Sequence, residues 1–509
     1  MSLFAKLARG ASVNLIEHGL KVVVMFITTP LMISRLGKED YGIWLLAIAI
    51  IAYFRLLDLG VSFAGSRFLG TALGSGDRQE YQSLARNLCR LFVRIGIAAL
   101  ALTALTVLAL PLFISDPGMS ATVRVMVAGL GVTTALRFFT RIYEVILKSH
   151  VRYDLIGISS IMKTILQSGL IIGLLIAGKG LMALLVAHIL IDILDQVLLV
   201  FFARRIESGL GLGKSSGGAA RTGELLRYSA TAMVTVAGQS LRQGIDPLII
   251  THVSGVATLP PYSVGARFLG VFTDVINAIF GGNFMSAFSQ LHGRGDQEVL
   301  NSRFLEAIRY CTLAAALGGC SLMMFGPAFI ERWVGPDFEM SGKVLWILTP
   351  VTALSLCQYP VWSLFYSQNK QHWLAIFTLV SGIFNLTLSF YLAWQIGWMG
   401  VVWATCVEMA IAFGIVTPWL VTKVCAIPLE RYLGQIVITG MKVTLVSVAY
   451  WLALHSFIVP AYDRLFLLGS GYLAAISVST WFLVFAPRER SQLLEKMRSI
   501  LKPSTKPQP

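Results

Sequence analysis

Residues 41–72 read YGIWLLAIAIIAYFRLLDLGVSFAGSRFLGTA, and the fold follows from how such a stretch can be solvated. From Tyr41 to Phe54 there is no Asp, Glu, Lys or Arg, and beyond Arg55 and Asp58 the apolar run resumes. An apolar segment of about 18 residues or more is long enough to cross about 30 Å of hydrocarbon. Near its centre the polar side chains fall on one helical stripe: Arg55, Asp58, Ser62 and Ser66. Lipid offers no partner to a backbone amide, so the stretch reads as a membrane-spanning helix with one wet face.

The rest of the chain repeats that pattern. Of 509 residues 56% are hydrophobic and 13% charged, with a mean hydropathy of +0.73. A soluble exterior needs about 25% charge, so only a bilayer accommodates this surface. The sequence predicts about fourteen spans. Six lie near 11–36, 41–72, 86–114, 121–147, 154–177 and 180–203, and six more near 225–252, 261–291, 303–331, 340–367, 372–395 and 398–423. Two others follow at 432–458 and 463–486. No loop could hold a soluble domain; the longest, 204–224, is rich in Gly and Ser and reads as a linker.

Two features organise these spans. Gly74-Ser75-Gly76-Asp77 is echoed by Gly293-Arg294-Gly295-Asp296, 219 residues on, and Pro30-Leu31-Met32-Ile33 by Pro247-Leu248-Ile249-Ile250, 217 residues on. Tyr41 and Tyr262 open the paired helices. Landmarks in register at nearly one offset indicate a duplicated unit, and an even number of spans per unit makes the copies parallel. The expectation is an all-α polytopic membrane protein with two parallel six-helix lobes around a central cavity. In residues, that is an N-lobe at 1–204, a cytoplasmic linker at 205–224, a C-lobe at 225–423, two further spans within 424–486 and a basic tail at 487–509. Loop charge sets orientation. With the N-terminus inside, alternate loops and the tail carry about 25 Lys and Arg against about five on the other side, which puts both termini in the cytoplasm. Residues 488–501 place Leu493, Leu494, Met497, Ile500 and Leu501 on one face, as in a short helix lying on the inner leaflet.

The net charge of +15 would suggest nucleic acid in a soluble protein. Here the basic residues flank apolar runs and no basic face is interleaved with aromatics, so nucleic acid is excluded as a partner. Residues 208–215 (SGLGLGKS) imitate a phosphate loop but lack its first glycine and a preceding strand. The seven histidines and six cysteines show no metal-ligand spacing, so neither metal nor cofactor is expected.

Ionisable groups at bilayer depth are costly unless they face a cavity or a partner. Span one carries Asn14, Glu17, His18, Lys21 and Thr28 on one face. Span two has the stripe above, span seven has Gln239, Arg242, Gln243 and Asp246, and span eight has Ser263, Arg267 and Asp274. These are the first two helices of each repeat, which points to one water-filled cavity whose cationic walls, Lys21, Arg55, Arg242 and Arg267, would attract an anion such as a diphosphate. The alternative is that Arg55 with Asp58, and Arg242 with Asp246, neutralise one another along their helices. A second cluster comprises His188, Asp192 and Asp195 on span six facing Lys163 and Gln167 on span five. It reads either as an ion relay or as a buried pair. Glu408 and the span-four stripe Arg137, Arg141 and Glu144 are open to the same two readings, the stripe by snorkelling to the cytoplasmic interface.

The residues Asn14, Pro30-Leu31, Arg35-Leu36-Gly37, Asp40-Tyr41-Gly42, Leu57-Asp58-Leu59-Gly60 and Gly76-Asp77 resemble the polysaccharide-biosynthesis (Wzx-type) flippases. Those belong to the superfamily that also holds MATE exporters and lipid II flippases. The resemblance implies a non-enzymatic transporter of the inner membrane. It would move an undecaprenyl-diphosphate-linked oligosaccharide to the outer leaflet by alternating access, for O-antigen or lipopolysaccharide synthesis. It also implies membrane lipids, a glycan polymerase and chain-length proteins as partners. Arg55 lies in the matching stretch and takes the diphosphate role; Lys21, Arg242 and Arg267 rest on the stripe argument. The resemblance maps no ion-coupling residue, so Asp58, Asp246, Asp274, Asp192, Asp195 and Lys163 stand as coupling residues or structural pairs. The competing reading is a MATE-like ion-coupled exporter of small molecules, which would want an acidic cavity. A glycan polymerase or ligase would need a large outward loop that this chain lacks.

Overall fold

The computed structural model describes residues 3–58, 60–114, 116–207, 244–280 and 283–483, together with 238, 240–242, 487, 490 and 491. Every regular element among them is helical. Twelve continuous stretches are long and apolar enough to cross a membrane. The first, Ile16–Ser75, has 60 residues, about 90 Å at 1.5 Å per residue and far more than one crossing. It contains the expected spans one and two. Expected span seven falls largely outside the described residues, which hold its end as a helix Asp246–Ser254. The Asn14 side chain, Gln239, Gln243, the 208–215 segment and most of the 488–501 helix also lie outside the described residues.

The helices are α1 (Leu3–Ala52), α2 (Val61–Ser75), α3 (Arg78–Phe113), α4 (Pro117–Ser149), α5 (Tyr153–Ile176), α6 (Leu181–Ile206), α7 (Asp246–Ser254), α8 (Leu259–Phe280), α9 (Asn283–Gly293), α10 (Gln297–Val334), α11 (Glu339–Cys357), α12 (Pro360–Ser367), α13 (Gln371–Ile396), α14 (Met399–Ile411), α15 (Thr417–Cys425), α16 (Leu429–Leu454) and α17 (Tyr462–Leu483). Several expected spans are thus broken. Span ten divides into α11 and α12 before Pro360, which cannot donate to the preceding turn. Span twelve carries a π-helical turn, Ala412–Val416, between α14 and α15. The expected linker begins later than 205, because Arg205 and Ile206 close α6.

The backbone repeats as the sequence does. Gly37 and Gly255, 218 apart, have φ of 80° and 84°; Gly76 and Gly295, 219 apart, have 74° and 77°. Gly178 and Gly397 have 69° and 68° at the same 219 offset, and Val151 and Asn369 both have 56° at 218. An L-residue rarely adopts this region, and a β-branched valine least readily. At Val151 the turn closes with Arg152 N–H donating to Leu147 O at 2.9 Å, and at Asn369 with Lys370 N–H donating to Phe365 O at 2.8 Å. Two chain reversals with the same bond pattern and conformation, one of them strained, are the mark of a duplicated unit rather than of chance.

By packing, the chain forms two compact units: Met1–Ser263 with His372–Glu408, and Val264–Gln371 with Met409–Pro509. The expected lobes divide the chain by repetition instead. In the first unit α2, α3 and α4 share a core around Val61, Leu69, Leu88, Phe92, Phe138 and Val145. The α3–α4 seam is close: a methyl on Gly131 would meet Thr103 at 2.5 Å, so only glycine fits. In the second unit Gln358 donates through Nε2 to Phe413 O at 2.7 Å inside the π turn and accepts from the buried Tyr432 hydroxyl at 2.9 Å.

Candidate functional site: a cationic cavity at a broken span

The stretch 41–72 does not run as one helix. After Ala52 the chain tightens into a 3₁₀ turn, Tyr53–Asp58, and α2 begins only after Gly60, whose φ of 73° places it in the left-handed region. Asp58 explains the restart. Its Oδ1 accepts from Ser62 N–H at 3.0 Å and from Ser62 Oγ at 2.9 Å, satisfying a donor at the N-terminus of α2 and meeting its positive dipole end. The break falls midway along the span. Irregular backbone at that depth is tolerated only where it lines a cavity or is buried in protein.

A cavity of about 800 Å³ is present there, in the first unit. Its wall includes Arg55, Asp58, Ser66, Arg137, Arg141 and Lys148. Arg137, Arg141, Glu144 and Lys148 recur at helical spacing along one face of α4. Arg141 donates through Nε to Ser62 Oγ at 3.0 Å and through Nη1 to Glu144 Oε2 at 2.5 Å, and its Nη2 lies 3.6 Å from Asp58 Oδ2. Lys148 reaches Glu144 at 2.7 Å. Arg55 is exposed and makes no ion pair among the described residues. An exposed guanidinium at membrane depth, beside a polar helix break, has the donors to grip an oxyanion through two parallel hydrogen bonds.

The other expected cavity cations are placed differently. Lys21 is half exposed and pairs with Glu17 one turn away; Glu17 also accepts from Ser160 Oγ of α5 at 2.5 Å. Arg242 is buried and donates through Nε to Glu408 Oε2 at 3.0 Å, and the Ser381 hydroxyl bonds the other carboxylate oxygen. Arg267 is half-buried and Asp274 exposed, both on α8 in the second unit. Neither expected intrahelical pair forms. Asp58 is engaged by Ser62 and Arg141 instead of Arg55. Arg242 is engaged by Glu408, and Asp246 by Tyr262 and Thr405.

Asp246 instead ends in a polar pocket of its own. It is 3% exposed. Its Oδ2 accepts from Tyr262 OH at 2.6 Å and from Thr405 Oγ1 at 3.4 Å, while Oδ1 has no hydrogen-bond partner among the described residues. Asn385 Nδ2 donates to the same Thr405 hydroxyl at 3.2 Å, and buried Asn385 Oδ1 and Tyr53 OH are likewise without a partner among the described residues. The third group of charges is closed. Lys163 bonds Asp192 and lies 3.8 Å from Asp195. Arg137 Nη2 donates to Asp192 Oδ1 at 2.6 Å and to Asp195 Oδ2 at 2.8 Å. His188 is held by Gln167 at 2.5 Å and meets Trp44 edge-on. The span-four stripe therefore turns inward rather than snorkelling, because carboxylates on spans two and six meet its guanidinium groups. Its role as cavity wall was readable in the spacing of residues 137, 141, 144 and 148.

The sequence profile of the family described as "Polysaccharide biosynthesis protein" matches residues 32–343. An uncharacterized membrane protein EpsK of Bacillus subtilis is 21% identical over 430 residues, covering 84% of this chain and 85% of that protein. Among solved structures, the lipid II flippase MurJ in an inward closed conformation aligns over 94% of this chain and 99% of its own, with a TM-score of 0.70 and 13% identity. An inward-facing multidrug resistance MATE family transporter of the MOP superfamily aligns over 84% and 99%, with a TM-score of 0.67 and 14% identity. The chain has the fold those two proteins share.

Proposed function

Because the chain belongs to the polysaccharide biosynthesis protein family, we propose that it is a flippase. In this reading it carries an undecaprenyl-diphosphate-linked oligosaccharide from the inner to the outer leaflet of the cytoplasmic membrane, by alternating access, for surface polysaccharide synthesis. The carrying observation is Arg55, exposed in a cavity of about 800 Å³ at a mid-span helix break and free of any ion pair among the described residues. An unpaired cation at bilayer depth costs several kcal/mol unless water or an anion meets it. A diphosphate repays that cost where an organic cation would add to it, which favours this cargo over that of a drug exporter. The volume is that of a pocket for a drug-sized ligand, so it takes the diphosphate and the first sugars while the glycan chain trails outward. Arg55 grips the anion, Arg141 and Lys148 supply further charge, and Asp58 holds the break open. Arg267, on the second unit, has no assigned part in this cavity; Lys21 is neutralised by Glu17 on its own helix, and Arg242 with Glu408 ties helices together.

Coupling to an ion is assigned to Asp246, a buried carboxylate with an unsatisfied oxygen among hydroxyl and amide groups. Asp58, Asp192, Asp195 and Lys163 have structural pairings in this reading, and Asp274 has no assigned part. The loop-charge asymmetry supports cytoplasmic termini, and a glycan polymerase with chain-length proteins would receive the product. The test is complementation of a deletion strain, scored as surface glycan per unit of membrane-inserted protein. Arg55→Ala is expected to abolish export, and Arg55→Lys to retain part of it, because charge survives while the fork is lost. Wild-type glycan from Arg55→Ala at normal membrane abundance sinks the reading.

A further inference from the structure

Arg137 belongs to two groups at once. It is 33% exposed and forms part of the cavity wall, yet one nitrogen, Nη2, is spent on both Asp192 and Asp195. Behind it Lys163 is bonded to Asp192 and does not line the cavity. Ser159 Oγ donates to Asp195 Oδ1 at 2.7 Å, and Gln196 Nε2 reaches Asp192 Oδ2 at 3.4 Å. His188, on the preceding turn of α6, is held by Gln167. The group counts two cations and two carboxylates, so its net charge is zero, although it presents a guanidinium to the cavity. That guanidinium would otherwise add a full positive charge to the wall that carries Arg55, Arg141 and Lys148.

We propose that Asp192 and Asp195 set the affinity of the cavity for its anion by holding Arg137, so that cargo and carboxylates contend for one guanidinium. The inference rests on the reading of this cavity as a diphosphate site and says how that site is kept from binding too tightly. A carrier needs a site good enough to enter and weak enough to leave. An unrestrained Arg137 added to Arg55 and to the charge of Arg141 and Lys148 would favour entry at the expense of release. Nothing in the local sequence of α4 reveals the restraint, because the carboxylates stand 55 and 58 residues away.

The test titrates farnesyl diphosphate into the full-length protein in phosphatidylcholine nanodiscs, with farnesol as the uncharged control. Asp195→Asn is the variant of choice. Ser159 can still donate to the amide oxygen, and Asp192 still holds Lys163, so the helices keep their contacts. Removing one of the two carboxylates that share Arg137 Nη2 lets the guanidinium turn to the anion, and is expected to tighten farnesyl diphosphate binding at least about tenfold. Farnesol binding should not move. In glycan export Asp195→Asn should lower both the half-saturating substrate level and the turnover, the signature of slow release. With Arg137→Gln the affinity falls, and adding Asp195→Asn to it should recover less than about threefold, since no guanidinium is left to free. Unchanged or weaker binding by Asp195→Asn, with normal binding by the parent protein, overturns the inference alone. If the parent protein binds farnesyl diphosphate no better than farnesol, the diphosphate reading fails and takes the inference with it.

Discussion

Between α4, α5 and α6, two cations close on two carboxylates; around the start of α7, one pair closes and one carboxylate is left half satisfied. Both groups lie in the first unit and hold buried carboxylates, yet they answer the cost of buried charge differently. In the first group every carboxylate oxygen has a donor: Arg137, Lys163, Ser159 or Gln196. In the second, Arg242 and Glu408 meet across 166 residues of sequence, while among the described residues Asp246 has a phenol and a threonine hydroxyl as its only donors. A satisfied group fixes helices together and has little left to offer a ligand. An orphaned oxygen among polar neighbours retains free coordination capacity, whose natural occupant is a proton or a small cation. The comparison separates charges that build the protein from charges that work in it.

The largest expected effect comes from breaking the closed pair of the second group. Glu408→Leu leaves buried Arg242 without the carboxylate it meets at 3.0 Å, and removing one partner of a buried pair costs about 3–5 kcal/mol. Thermal unfolding in detergent should show a loss of several degrees, or no monodisperse protein at all. Arg242→Met combined with Glu408→Leu should recover most of the loss, because two apolar side chains leave no buried charge behind. A single variant as stable as the parent would mean that Arg242 is not held by this pair, and the distinction drawn above would collapse on that side.

How much of this was legible in the sequence depends on the range of the interaction involved. The spans were legible because hydropathy is a local property, and the duplication because the turns at Gly76 and Gly295 keep their glycines. The left-handed Val151, which matches Asn369, carries no such signature. The break at Tyr53–Gly60 was hidden inside an apolar run: Asp58 and Gly60 could be seen, but not that one would cap α2 and the other start it. Charge partners were least legible. Sequence spacing suggests intrahelical pairs such as Arg55 with Asp58. Some intrahelical pairs do form, as Lys21 with Glu17, but several charges are paired across helices: Arg141 with Asp58, Arg137 with Asp192, Arg242 with Glu408. Only tertiary packing decides among such partners.

A smaller effect on stability, and a large one on transport, is expected at the open carboxylate. Asp246→Asn removes a buried charge that no cation meets among the described residues. An amide can still accept from Tyr262 OH and offers its own donors to the unsatisfied oxygens nearby. Stability should change by less than about 1 kcal/mol, and upward if anything. Glycan export should be lost at normal membrane abundance, because an amide cannot exchange a proton or neutralise a cation. If Asp246→Asn destabilises the protein as much as Glu408→Leu does, Asp246 is a structural group after all and the contrast between the two oxygen sets disappears.

The smallest effect is expected at Lys21, and it sharpens the comparison from outside both buried groups. Lys21 pairs with Glu17 one turn away, and its side chain is 50% exposed. An exposed i, i+4 pair contributes within about 0.5 kcal/mol, because solvent screens the charges and side-chain entropy offsets the gain. Glu17 keeps Ser160 as a hydrogen-bond donor when the lysine is gone. Lys21→Gln should therefore leave both the unfolding temperature and surface glycan close to those of the parent protein. Loss of export with the fold intact would return Lys21 to the substrate path, as its place on a polar stripe of span one suggests. Arg55 would then be one station of a longer cationic track rather than the grip of a single cavity. Measuring farnesyl diphosphate binding of Lys21→Gln beside Arg55→Ala decides between these. A deficit confined to Arg55→Ala keeps the anion at the broken span, and equal deficits extend the track to α1.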